Sequence, residues 1–258
     1  MISYWKLLMR AQAVATVSAT LLVAALLAGC PAPPRRSPSE APPPLAGISR
    51  AHQGRPYDVV TSESLLTIVA FRGGALSKAG HNHVIAARDL TGTIYVPDDA
   101  AHSTFEIHVP VGELTVDEPQ LRMQAGADFP PDVPDSAKEG TRHNMLSEAL
   151  LDGAQYPEIT LVAQSITSAA GWAAPSPPAG SAPAADAQVS VQVTVRAQTH
   201  TIAVPVHYEI AAGQLVASGE FPLKQTDLGL TPFSAFLGAL QVQDELRVKF
   251  RIVARAAH

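Results

Sequence analysis

Residues 246–255 read LRVKFRIVAR, a run in which every even-numbered position is apolar and four of the five odd-numbered positions are Arg or Lys. Successive side chains of a β-strand point to opposite faces of the sheet, so the alternation predicts a strand with one apolar and one cationic face. A helix would spread the same charges around its whole circumference, so the pattern indicates a strand.

Further alternating or continuously apolar segments predict seven more strands, at residues 59–72, 83–96, 102–111, 158–166, 189–195, 201–210 and 215–223. A helix is predicted from Asp135 or Ser136 to Leu150, and an acidic, proline-containing loop from Asp117 to Pro134. Residues 169–187 are rich in Ala, Pro, Ser and Gly and predict a low-complexity surface loop. Eight strands with one inserted helix favour an all-β antiparallel barrel or sandwich over a parallel α/β fold.

Two residues predict irregularities in this sheet. Gly92 interrupts an alternating run and predicts a bend in its strand. Pro205 falls on the outward row of its strand and has no N–H to donate, so it predicts a weakly paired or edge position.

Charge and cysteine content limit the classes of function. The 258 residues carry a formal net charge of -5, which gives no basis for a nucleic-acid-binding surface. Cys30 is the only cysteine, so neither an intrachain disulfide nor a multi-cysteine metal site can form.

The beginning of the chain predicts an export signal. Residues 1–29 combine the basic Lys6 and Arg10 with an apolar run from Ala11 to Ala28, which is the layout of a secretory signal peptide. The run ends in Leu27-Ala28-Gly29-Cys30, which resembles a bacterial lipobox and predicts lipidation of Cys30. The alternatives are an uncleaved membrane anchor and an ordinary signal peptide with an incidental cysteine.

Residues 30–56 predict a tether between the lipidated cysteine and a domain at residues 57–258. Seven prolines among residues 31–44 favour an extended spacer, which could reach about 80 Å at about 3.1 Å per residue. We therefore expect a lipid-anchored protein of the cell envelope or periplasm. Pro31 stands where an Asp is linked to inner-membrane retention in some bacteria, which favours the outer membrane.

Short motifs in a fixed order resemble the YceI-like family. They are GHNH at 80–83 before LTGT at 90–93, TRHNML at 141–146 before YPEI at 156–159, VTV at 193–195 before TH at 199–200, and FPLKQTDLG at 221–229. The resemblance spans about Tyr57 to the C-terminus. The chain departs from the family in the 169–187 insert, in the proline-rich tether and at Thr199-His200, where the family more often has a Gly-containing turn.

The resemblance implies an extended, lipocalin-like antiparallel barrel of eight strands, with a helix that closes one side. It also implies a long amphiphilic ligand in the lumen, such as a polyisoprenoid or a fatty-acid derivative, with no cofactor, and pairing as a homodimer. The apolar side chains predicted to line the lumen are Phe105, Ile107, Val109, Ile159, Leu161, Val191, Val193, Ile202, Val204, Leu215, Phe221, Val248 and Phe250. The alternative is that these side chains fill the interior as a core.

Four polar residues are predicted at the rim of the barrel: His81, His83, Arg142 and His143. There they would contact a ligand head group or the rim loops. Zinc binds imidazole, so His81, His83 and His143 are also candidate metal ligands, which His200 could join. Their spacing matches no metal signature, and no Ser-His-Asp order, phosphate loop or carboxylate pair stands out. We therefore expect a binding protein rather than an enzyme.

Three functional hypotheses follow. The favoured one is a membrane-tethered lipid-binding protein that transports or stores its ligand. The second is a His-dependent metal-binding protein or metal enzyme. The third is a structural or interaction barrel without a ligand.

Overall fold

The computed structural model describes residues 53–168 and 187–257. The predicted signal peptide, Cys30, most of the tether and all of the 169–187 loop except Ala187 lie outside these residues. The described part contains twelve strands, which are β1 (Arg55–Val59), β2 (Leu65–Gly73), β3 (His83–Ala87), β4 (Thr91–Val96), β5 (Thr104–Pro110), β6 (Thr115–Val116), β7 (Glu158–Ser168), β8 (Ala187–Val195), β9 (Gln198–Ala211), β10 (Gln214–Lys224), β11 (Ser234–Ala235) and β12 (Leu240–Ala256). It also contains two α-helices, α1 (Pro119–Ala125) and α2 (Asp135–Leu146).

Eight of the strands close an antiparallel barrel. They pair in the order β1-β4-β5-β7-β8-β9-β10-β12, and the end of β12 returns to β1, with Tyr57 opposite Ala256 and Val59 opposite Ala254. The start of β12 pairs with β2, which continues the sheet through β3 to β6. The predicted eight-stranded, lipocalin-like barrel is confirmed.

The alternation of β12 matches its position in the barrel. Val248 and Ile252 are buried, whereas Lys249 and Arg251 are exposed. Val253 is the apolar exception on the outward row, and it is fully buried because the chain that follows β1 crosses over it. Ser64 Oγ accepts the Val253 N–H at 3.0 Å, so the sequence exception marks a covered patch of the outer wall.

Two segments predicted as continuous strands are broken. The segment 59–72 is interrupted at 60–64, and the segment 83–96 is interrupted at 88–90, where Leu90 turns inward and is completely buried. Just after this break, Gly92 has φ +145°, and a Cβ there would lie 2.2 Å from the Glu106 carbonyl oxygen. The bend predicted at Gly92 is therefore present, and only glycine fits it without strain.

The prediction of a single helix is wrong. The segment predicted as an acidic loop contains α1, which starts with Pro119 and packs Leu121 against Val84 and Phe129 on the outer face of β2 and β3. Because one turn of apolar side chain suffices for this packing, the helix is too short for a periodic signal. Helix α2 starts at Asp135 as predicted but ends at Leu146, since Ser147 has extended backbone.

Pairing around Pro205 is asymmetric. Pro205 lies opposite Gln188 in the ladder with β8, so the prediction of an edge position is wrong on that side. On the other side, the ladder between β9 and β10 stops at the His207–Ser218 pair, as expected beside a residue that has no N–H. Within the described ranges, no helix has both the length and the apolar character needed to cross a bilayer.

Candidate ligand-binding cavity

The barrel encloses a cavity of about 610 Å³. Its wall is built almost entirely from Val, Ile, Leu, Phe and Ala side chains, because inward positions recur at every second residue along the strands. The structure places all thirteen side chains predicted to face the lumen in this wall. The volume lies within the range of about 300–1,000 Å³ that is typical of small-molecule sites.

The interior is not a solid core. Ile159, Leu161 and Phe221 point into the barrel, yet each keeps a substantial part of its surface accessible. In a close-packed interior, such side chains would be covered by their neighbours across the barrel. Their accessibility shows that the opposing walls do not meet.

Further lining residues come from elements that the lumen prediction did not include. Leu66 and Ile68 lie on one face of β2, and their alternation in the sequence was the signal that could have identified them. Met145 on α2 and Leu228 in the turn after β10 also line the cavity. Their inward position depends on how the helix and the turn fold over the barrel, which no periodicity in the sequence reports.

The polar side chains of the wall gather mainly at one end of the cavity, which we call the mouth. It is formed where β2 ends, β3 begins and β12 begins, with α2 alongside. Its polar residues are Arg72, His81, His83, Thr141 and Gln241. Among the described residues that line the cavity there is no Asp or Glu, so the ionisable groups at the mouth are basic.

His83 is held in one orientation at the mouth. Its Nδ1 lies 2.6 Å from Asp117 Oδ2, and its Nε2 lies 3.2 Å from Thr141 Oγ1. An ionised carboxylate only accepts hydrogen bonds, so Nδ1 carries the hydrogen and donates it to Asp117. The Nε2 edge is therefore the side directed towards α2 and the cavity.

Asp117 belongs to a buried ionic network behind the mouth. Arg122 is 1% exposed and donates to Asp117 Oδ1, to the Asn82 carbonyl and to the Pro130 carbonyl, each at 2.6 Å. Its guanidinium also lies 5.7 Å from the centre of the Phe129 ring. Fully buried arginine requires such partners, because an unpaired charge would be costly in the interior.

The network keeps Asp117 ionised. Burial alone would raise the pKa of the Asp117 carboxyl, but hydrogen bonds from His83, the Val84 N–H and Arg122 outweigh burial and lower it below its usual value. The chain adopts φ +57° at Asp117, a left-handed conformation that Asp tolerates better than most residues. Sequence reasoning missed this network, since charged residues in a proline-containing stretch predict a solvated loop.

Two of the four residues predicted at the rim lie elsewhere. Helix α2 presents Ala137, Thr141 and Met145 to the cavity, positions four apart on one helical face. The neighbouring Arg142 points away from the cavity and donates to the carbonyls of Gly112 and Leu114, while His143 is exposed to solvent. Of the predicted set, the mouth brings together only His81 and His83.

The histidines do not form a metal site in the described part of the chain. The His81 and His83 rings have their centres 6.2 Å apart, and both ring nitrogens of His83 already face Asp117 and Thr141. Across residues 53–168 and 187–257, no three His, Cys, Asp or Glu side chains lie close enough to share a metal ion. The metal hypothesis therefore has no ligand set there.

Comparison with known proteins identifies one matching family. The family model of the YceI-like domain matches residues 57–254. No curated protein of significant sequence similarity was found.

Three solved structures illustrate the likeness of fold. BcnA from Burkholderia cenocepacia is 16% identical, with a TM-score of 0.49 over 76% of this chain and 98% of its own. A polyisoprenoid-binding domain from Saccharophagus degradans is 13% identical, with a TM-score of 0.48 over 78% and 98%. The YceI protein of Campylobacter jejuni is 8% identical, with a TM-score of 0.45 over 67% and 85%.

Proposed function

The chain belongs to the YceI-like domain family, and from that premise we propose that it is a lipid-binding protein which holds one long-chain amphiphile inside its barrel. The class of ligand is a polyisoprenoid or a fatty-acid derivative, as the family resemblance implies. The role is transport or storage of that ligand, with no catalytic step and no cofactor.

The unfilled apolar cavity is the observation that carries this proposal. Burial of apolar surface contributes about 25 cal/mol per Å², so a hydrocarbon chain gains free energy along the whole length of such a wall. A sugar or a nucleotide would instead lose its hydrogen bonds to water without replacement there. The wall therefore favours a hydrocarbon chain over any polar ligand of similar size.

The mouth supplies partners for the polar end of the amphiphile. His81 and His83 lie in the wall there with Arg72 beside them, and no carboxylate shares the wall. His83 is pre-oriented by Asp117 and Thr141, which lowers the entropy lost when it binds a head group. We propose that the tail enters the barrel and that the head group stays among these three residues.

Attachment to the envelope completes the proposal. The leader and the Leu27-Ala28-Gly29-Cys30 motif support lipidation of Cys30, and the outer membrane is favoured by Pro31. Two or more acyl chains would hold the protein on a bilayer, because each buried methylene contributes roughly 0.8 kcal/mol. Pairing as a homodimer is also proposed from the family resemblance.

A matched pair of substitutions in β9 tests the proposal. Val204 lines the cavity and is buried, whereas its neighbour Ala203 is exposed on the outer face. We expect Val204→Trp to occupy lumen space and lower the affinity for a fluorescent long-chain fatty acid by at least about tenfold, which corresponds to about 1.4 kcal/mol. Ala203→Trp should bind like the wild type. Equal binding by the two variants would contradict a site in the lumen.

A further inference from the structure

Three large apolar side chains stand exposed on two neighbouring loops beyond the barrel wall. Leu76 is 51% exposed, Phe236 is 74% exposed and Leu237 is as exposed as in an unfolded chain. We call these three residues the apolar tip. Single exposed apolar residues are common on proteins, but a cluster of them at one place marks an interaction site.

The two loops form one unit. Strand β11 pairs with the start of β12, with Ser234 opposite Gln241, and the hairpin turn between them carries Phe236 and Leu237. The Leu76 N–H donates to the Ala239 carbonyl at 2.7 Å, which joins the other loop to this turn. The apolar tip is therefore held together by backbone hydrogen bonds.

The residues at the tip of the hairpin do not suit their backbone. Phe236 has φ +51° and Leu237 has φ +57°, two consecutive left-handed residues as in a type I′ turn. Such turns strongly prefer Asn-Gly, because bulky side chains are strained at positive φ. Neither side chain is buried, so packing within the described chain does not offset that strain.

The apolar tip lies beside the mouth of the cavity. Phe233, Leu240 and Gln241, which flank the turn, line the cavity. A Cβ on Gly80, which follows the loop of Leu76, would lie 3.0 Å from Leu240 Cδ1, so both loops border the same opening. A surface that covers the tip would also face the mouth.

The charges around the tip have one sign. Residues 231–243 contain no ionisable side chain, and residues 72–82 contain Arg72, Lys78 and His81 but no Asp or Glu. An uncharged apolar projection next to basic residues is the composition of segments that enter the interface of an anionic membrane.

We propose that the apolar tip inserts into a lipid bilayer, with Arg72 and Lys78 near the lipid phosphates, so that the cavity mouth opens against the membrane. An amphiphile would then pass between bilayer and barrel without crossing water. The tip is too small for a second copy of the chain as its occupant. A stable protein interface buries about 800 Å² on each partner, whereas a large aromatic side chain contributes only about 150–250 Å².

The proposal is tested with a fluorescent label on the full chain. Cys30 is the only cysteine, so Cys30→Ser gives a cysteine-free background in which Leu237→Cys carries a single environment-sensitive NBD label. With vesicles of phosphatidylethanolamine and phosphatidylglycerol, we expect its emission to shift to shorter wavelength and to be quenched by brominated acyl chains. The apolar leader can also bind vesicles, but the label reports only the surroundings of residue 237.

The matched control carries the label at Met123, which is 61% exposed on helix α1 and lies outside the cavity wall. This label should remain in water and unquenched when vesicles are added. If the label at 237 also remains in water, the proposal is wrong. It is equally wrong if the emission changes with protein concentration in the absence of vesicles, because the occupant would then be a second copy.

A second variant separates insertion from folding. Phe236→Asn combined with Leu237→Gly gives the turn its preferred residues and removes the apolar side chains, so the melting temperature should be retained or raised. With NBD at Leu76→Cys in this variant, we expect insertion to weaken by at least about tenfold relative to the same label beside the wild-type turn. Unchanged quenching would contradict the proposal.

Ligand transfer rests on the proposed lipid-binding function, but insertion of the tip does not. If the label inserts and the purified protein yields no lipid on extraction, the proposed function fails and the membrane contact stands. If lipid co-purifies and the label stays in water, the membrane contact fails alone.

Discussion

At the scale of single residues, the barrel keeps its ions outside the apolar wall. Asp117 and Arg122 are both buried, yet neither lines the cavity, and only the oriented imidazole of His83 connects them to the mouth. The network thus positions a polar group at the mouth without placing a carboxylate in contact with hydrocarbon.

Asp117→Asn should lower the free energy of unfolding by about 3–5 kcal/mol at neutral pH, because it leaves Arg122 as a buried charge without its partner. The folded-state pKa of Asp117 is lowered from a usual value of 3.8, so its ionic contribution is present above that value and is lost as pH falls through the lower folded pKa. Wild-type stability should therefore decrease in this acidic window, and the variant should lose that part of the decrease.

Urea unfolding at neutral and acidic pH measures both effects. Asp98→Asn, at an exposed position in the turn after β4, is the control and should change stability by less than about 0.5 kcal/mol. An Asp117→Asn variant as stable as this control would show that the buried pair does not stabilise the fold.

Residue identities in the lumen could be predicted from the sequence, whereas this network could not. Phe105, Ile107 and Val109 alternate with polar neighbours, and alternation alone assigns them to one face. Asp117 and Arg122 carry no periodic signal, and their burial arises only when α1 packs on the outside of β3.

At the scale of elements, alternation predicted the strands well and their interruptions poorly. The two breaks, at 60–64 and 88–90, occur in long apolar-rich segments where nothing in the pattern interrupts the run. Helix α2 was predictable because it is long enough to repeat its apolar face. Its rotation was not, since Arg142 and His143 have the composition of a rim but lie on other faces of the helix.

The corrected position of Arg142 predicts a structural role for this residue. Arg142→Ala should remove the donors to the Gly112 and Leu114 carbonyls and destabilise the attachment of α2 by about 1–3 kcal/mol. Amide hydrogen exchange across residues 135–146 should become faster. His143→Ala removes an exposed neighbour and should leave exchange unchanged, so equal effects of the two variants would contradict this assignment.

At the scale of the whole molecule, closure of the sheet creates the cavity. The end of β12 pairs with β1 while its start pairs with β2, so one 17-residue strand joins both ends of the sheet. The count of eight strands was predictable from sequence. The unfilled lumen was not, because it depends on the strand register and on how far the opposing side chains reach across the barrel.

The central claim is that the lumen holds a hydrocarbon-chain amphiphile, and mass spectrometry of organic extracts from the purified full chain tests it most directly. The account predicts one class of long-chain amphiphile, in amounts close to one per chain, that is depleted from Val204→Trp and retained in Ala203→Trp. Extracts without any such molecule, or with equal amounts from both variants, would contradict it.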